Sequence, residues 1–156
     1  MKILKAILPL LAVAVFLQGC SNDDSGGGND VSAELVGTWQ LTEVNVSEAI
    51  DTNDDGTTTT NLMTEVDCLE DTLILSADAS WSSSGIFPAN ISPITGNLYN
   101  VSCSNVLVRG GNWGFSGSSL FLSGDFQATF LYDGTRLTLP IGNDLPGIQS
   151  LVYIRQ

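Results

Sequence analysis

Oxygen-bearing side chains at alternate positions, closed by a glycine, are how a short loop gathers ligands for a hard cation. Residues 51–62, DTNDDGTTTTNL, carry that spacing. Asp51, Asn53 and Asp55 offer three side-chain oxygens, Gly56 permits the sharp turn, and Thr57 offers its backbone carbonyl. Thr59 stands at the ninth position, where a ligand acts directly or through water. Leu62 stands at the twelfth, where the usual calcium loop has a bidentate glutamate. Two readings stay open. One is a structural calcium loop that borrows a carboxylate from Glu65, Asp67 or Glu70. The other is an Asx- and glycine-rich turn after the first strand, since these are the ordinary turn residues.

Other chemistry is poorly supplied. The chain has no histidine, and its lysines are Lys2 and Lys5. A nucleophile–histidine triad and Schiff-base chemistry therefore have no players. Paired carboxylates remain as an acid–base device, but seventeen acidic residues single out no pair. No glycine-rich phosphate loop is present. The expectation is a protein that is not an enzyme, with no catalytic residue and no cofactor beyond the calcium of the first reading.

The start of the chain addresses it. Lys2 and Lys5 precede an apolar run over residues 7–17, interrupted by Pro9 and ended by Gly19 and Cys20. The run is short for a membrane span, which takes about 20 apolar residues, and has the layout of a secretory signal. Leu17-Gln18-Gly19-Cys20 resembles the lipobox of bacterial lipoproteins, with Gln18 where a smaller residue is commoner. The resemblance implies a lipid on the Cys20 thiol and cleavage before it. An ordinary cleaved signal, or a tether that stays uncut, is the competing reading. Residues 21–30, SNDDSGGGND, form an acidic, glycine-rich spacer that cannot pack a core. Asn22-Asp23-Asp24 resembles the acidic tract of surface-exported lipoproteins. The chain thus divides into a signal at 1–19, a lipidated cysteine and linker at 20–32, and one domain at 33–156. The expected location is the outer membrane, on its cell-surface or periplasmic face.

After cleavage, three arginines face seventeen carboxylates, a net charge of −14. Such a surface repels nucleic acid and favours cationic partners. Cys68 and Cys103 remain as an even pair in an oxidising compartment, and a disulfide between them is expected. Free buried thiols or a metal site are the alternatives, the latter disfavoured without histidine.

The domain reads as all-β. Short runs rich in Val, Thr, Leu, Ile and aromatics alternate with turn residues, and no window keeps a period of 3.6. The first strand, over residues 35–46, changes parity near Glu43, as at a bulge. Hairpins are expected at 71–77 with 80–87, around 117–118, and at 126–132 with 136–141 through Asp133-Gly134. Residues 98–109 read as one strand and 151–155 as the last. Residues 88–97 hold two prolines and read as a loop or lid, and a short helix fits 62–67. Eight or nine consecutive antiparallel strands point to an up-and-down barrel, with a β-sandwich as the competitor.

"LVGTWQLTEV", the acidic loop with Cys68, "DTLILSADASW" and the later "NWGF" occur in an order that resembles the lipocalin-like domains of bacterial lipoproteins. That resemblance implies a barrel with Trp39 at its closed end and Arg155, from the last strand, stacked across it. The competing reading has Trp39 in the core and Arg155 solvated. It also implies a small apolar ligand inside the barrel. The inward candidates are Trp39, Leu41, Leu73, Leu75, Trp81, Phe87, Trp113, Phe115, Leu120, Leu122, Phe126, Phe130, Leu137, Leu139 and Tyr153. Of these, Trp81, Phe87, Trp113, Phe115 and Phe130 are the candidate ligand contacts. Ser83 and Gly85 leave room beside Trp81. The alternative function is an acidic interaction module with a filled barrel, docking a cationic protein.

Overall fold

Strand alternation in the sequence becomes a closed barrel in the structure, a computed structural model that describes residues 31–142 and 147–156. The signal, Cys20 and most of the linker lie outside the described residues. A short helix, α1, covers Val31–Leu35 and so begins before the domain boundary read from the sequence. Eleven strands follow: β1 (Gly37–Ile50), β2 (Thr59–Asn61), β3 (Glu70–Leu75), β4 (Ser80–Ile86), β5 (Pro88–Thr95), β6 (Leu98–Cys103), β7 (Leu107–Ser116), β8 (Ser119–Gly124), β9 (Ala128–Tyr132), β10 (Arg136–Pro140) and β11 (Ile148–Arg155).

Eight of them close the barrel in the order β1-β3-β4-β7-β8-β9-β10-β11, with β11 pairing back onto β1 and β2 added beside β1. Every pairing is antiparallel. The up-and-down barrel therefore holds over the sandwich alternative. The parity change in β1 is a bulge between Leu41 and Glu43, and a second irregularity follows between Asn45 and Val46. The first lets Trp39, Leu41, Val44 and Val46 all enter the core.

Two expectations need correction. Residues 88–97 are not a lid loop: β5 pairs with β6 as a separate two-stranded hairpin. Pro88 opens its strand, and Pro93 sits in a two-stranded ribbon where one edge asks for no donor. The single strand read over residues 98–109 is two, β6 and β7, parted at 104–106. The expected helix near 62–67 is a 3-10 turn at Leu62–Thr64, capped by the Asn61 side chain on the Met63 N–H.

Glycine is required where β7 and β8 cross closely. A Cβ on Gly111 would collide with the Ser123 carbonyl, and one on Gly124 with Gly110. At the β9–β10 turn, Gly134 takes φ +98°, and Asp133 accepts from the Thr135 and Arg136 N–H groups.

The Cys68–Cys103 disulfide is formed and ties the segment before β3 to the end of the β5–β6 hairpin, 35 residues apart. The hairpin is also held by Asp51, whose N–H donates to the Asn97 carbonyl and whose carbonyl accepts from the Tyr99 N–H. In the chain-entropy account, the Cys68→Ala/Cys103→Ala double variant is expected to lose about 3–4 kcal/mol of stability. Urea melts check this, and a loss under about 1 kcal/mol would show that Asp51 alone fixes the hairpin.

Candidate functional site

The site is built by strand parity. On β7 the inward positions are Leu107, Arg109, Gly111, Trp113 and Phe115, alternating with exposed residues such as Val108. On β3 the inward set is Asp71, Leu73 and Leu75, and on β4 it is Trp81, Ser83 and Gly85. One charged residue on each of β3 and β7 therefore points into the barrel.

Of these, Asp71, Leu73, Trp81, Ser83 and Arg109 help bound a cavity of about 210 Å³ at one end of the interior. Its buried wall is Leu73, Trp81, Leu122, Phe130, Leu139 and Leu151. Phe87, Phe126 and Ile141 are partly or largely exposed and form its rim. Its polar lining is Asp71, Ser83, Arg109 and Tyr153. The Trp81 indole N–H donates to the Ser123 carbonyl at 2.9 Å, which fixes the ring against the wall. Phe130 and Tyr153 meet edge to face at 5.7 Å.

Arg109 is half-buried, and its guanidinium lies over two rings, 5.2 Å from the Phe87 centroid and 4.9 Å from that of Phe126. Asp71 is 3% exposed. Its Oδ2 accepts from the Tyr153 hydroxyl at 2.9 Å, while Oδ1 has no hydrogen-bond partner among the described residues. Asp71 faces Gly85 across β3–β4, and a Cβ at Gly85 would collide with the carboxylate. The space expected at Gly85 is thus filled by Asp71. Burial raises the Asp71 pKa above the ordinary 3.8, against the smaller opposing pulls of the Tyr153 hydrogen bond and the Arg109 charge. Burial, then the Asp71 charge, raises that of Tyr153.

Of the ligand contacts expected from sequence, Trp81, Phe87 and Phe130 line the cavity. Trp113 and Phe115 do not. They sit toward the other end, beside α1, where the Trp113 indole N–H donates to the Ser76 carbonyl and Phe115 packs edge-on to Tyr132. Tyr132 in turn meets Trp39 edge-on, which fills that end. Trp39 and Arg155 stand directly opposite each other in the β1–β11 register. The guanidinium does not stack: the cation–π contacts among the described residues are both Arg109's. Arg155 donates instead to the Glu34 and Val36 carbonyls at 2.8 and 2.7 Å, because the turn out of α1 leaves those acceptors beside it. Asp71 and Arg109 were missed. Their spacing from Leu73 and from Gly111-x-Trp113 places both on the inward parity, and that was the available signal.

The Asp51 loop spends its oxygens on itself. Asp51 accepts from the Asp54 and Gly56 N–H groups at 2.8 and 3.0 Å, Asn53 from Asp55, and Asp55 from Thr57. Glu65, offered above as a completing ligand, accepts from the Thr52 N–H. Among the described residues no three His, Cys, Asp or Glu side chains converge as a metal site. The hydrogen bonds of the loop are those of an Asx-rich turn.

No protein-family model, curated protein or solved structure matches the chain. Among the described residues no helix is long and apolar enough to cross a membrane.

Two outcomes follow from this geometry. Asp51→Ala strips the acceptor from two backbone N–H groups at a buried position and is expected to cost about 2–3 kcal/mol. Thermal melts should show the same loss in EDTA and in calcium; a loss confined to calcium would restore the metal reading. The second outcome concerns Asp71. Its folded pKa is raised, so its contribution to stability is present below about pH 4 and is lost as pH rises through the folded value. Asp71→Asn escapes that loss. Urea melts at about pH 3.5 and about pH 7 should show the variant gaining on the wild type as pH rises; a difference that stays constant, or moves in the wild type's favour, would mean that burial does not dominate.

Proposed function

We propose that this chain is a membrane-anchored lipoprotein whose lipocalin-like barrel binds one small apolar molecule. The observation that carries the reading is the cavity of about 210 Å³, walled by leucines and aromatics and open past Phe87, Phe126 and Ile141. It lies below the usual range of about 300–1,000 Å³ for drug-sized ligands, so the occupant is small. The run over residues 7–17, Cys20 and the acidic spacer support a lipid anchor. Asn22-Asp23-Asp24 supports the outer membrane, on its cell-surface or periplasmic face. The reading includes no catalytic step.

The alternative is an acidic module that docks a cationic protein. The net charge of −14, three arginines against seventeen carboxylates, supports such a partner. Its filled barrel is harder to reconcile with the cavity.

Native mass spectrometry of the full chain, released from the membranes of a bacterial host, tests both parts. Covalent mass retained on Cys20 after denaturation is expected, together with non-covalent mass that leaves. Ser83→Phe puts a ring into the cavity and should eliminate the non-covalent mass while the fold persists. Bound mass that survives Ser83→Phe would move the ligand elsewhere, and an unlipidated Cys20 would overturn the anchor.

A further inference from the structure

The described residues include three arginines, and two are engaged. Arg155 donates to the Glu34 and Val36 carbonyls, and Arg136 pairs with Glu43 at 3.5 Å. The Arg109 guanidinium makes neither a hydrogen bond nor an ion pair among the described residues; its contacts are the faces of Phe87 and Phe126. A guanidinium carries five N–H donors, and here none is taken by a protein acceptor among the described residues, so at the half-buried rim they face the cavity mouth. Asp71 does not relieve it. That carboxylate is packed over Gly85 and takes the Tyr153 hydroxyl. Ring faces grip the guanidinium through its π system, so its edge donors remain for a planar acceptor.

We propose that the cavity takes a small amphipathic acid, with an apolar body against Leu73, Trp81, Leu122 and Leu139 and a carboxylate received by Arg109 at the rim. The inference rests on the cavity-binding reading above and adds the chemical class of the ligand. Carboxylate matches the fork of donors that a guanidinium presents, and a bidentate pair is the strong form of that contact. The acidic surface repels anions in general, so selection of an acid has to come from this one cation in an apolar setting. Size limits the body as well. At about 30 Å³ for each water-sized group, the cavity of about 210 Å³ holds roughly seven non-hydrogen atoms, with the head group at the open rim outside that count.

The test compares octanoate with 1-octanol, which share a body and differ in the head, by calorimetry on the full chain near neutral pH. Octanoate is expected to bind at least about tenfold tighter. Arg109→Met keeps an apolar chain between the two rings and is expected to erase that preference by weakening octanoate at least about tenfold. Arg109→Lys should retain part of it. Equal affinity for the two probes in the wild type, or a preference that survives Arg109→Met, overturns the carboxylate assignment and leaves the cavity reading standing. Failure of both probes to bind overturns the two together. The wild-type comparison needs no variant, so a variant that fails to fold does not spare the proposal.

Discussion

Pairing of β1 with β11 is the interaction on which the rest of the molecule depends. It removes both edges of the sheet and turns an open meander into a barrel. It also sets what can meet inside. β3 and β11 flank β1 in the closed barrel, and the Tyr153–Asp71 hydrogen bond joins them across it. The bulge after Leu41 is part of the same constraint. A regular β1 would send Val44 and Val46 outward, and the core would lose two fully buried side chains, each contributing about 1.5–3 kcal/mol. Closure is reinforced at its outer end, where Arg155 ties β11 to the Glu34 carbonyl of α1 and the Val36 carbonyl just after it.

An eight-stranded barrel has an interior that side chains can fill or nearly fill. Here the two ends make different choices. Trp39, Tyr132, Phe115 and Trp113 crowd the end beside α1, locked edge to face and by indole hydrogen bonds to Leu35 and Ser76 carbonyls. At the other end the inward positions of β4 shrink to Ser83 and Gly85, and Asp71 uses the gap above Gly85. The cavity is what remains there between Trp81, Phe130 and Tyr153. The fold and the site are thus one fact about the order of large and small residues along β3, β4 and β7.

That order was legible in part. Period-two runs and the turn residues at 77–79, 117–118 and 133–134 gave the hairpins β3–β4, β7–β8 and β9–β10, because each depends on local chemistry. The parity slip at Glu43 was visible for the same reason. What failed depended on partners distant in sequence. The prolines of residues 88–97 read as a loop, since nothing local says that β6 pairs with them and leaves an edge to spare. Trp113 and Phe115 read as cavity residues because parity tells inside from outside but not one end of a barrel from the other. Arg155 read as a stack on Trp39; the register was right, but the carbonyls it takes come from a helix that the sequence did not announce. Arg109 and Asp71 were passed over because charged residues are ordinarily assigned to solvent.

Those two residues give a small cavity two separate polar groups. A buried carboxylate beside an arginine would ordinarily form an ion pair, and the pair would close the cavity's polar side. Here each group is held by something else. Asp71 is committed to the Tyr153 hydroxyl and wedged over Gly85, and burial shifts it toward its neutral form. Arg109 is clamped between Phe87 and Phe126, on strands and loops that do not carry Asp71. Their separation keeps a full positive charge at the rim and leaves a weakened negative one deeper in. The cavity therefore presents a cation at its rim and apolar surface behind it. The order of those two surfaces, set by which strand contributes which inward residue, gives the cavity a direction as well as a volume.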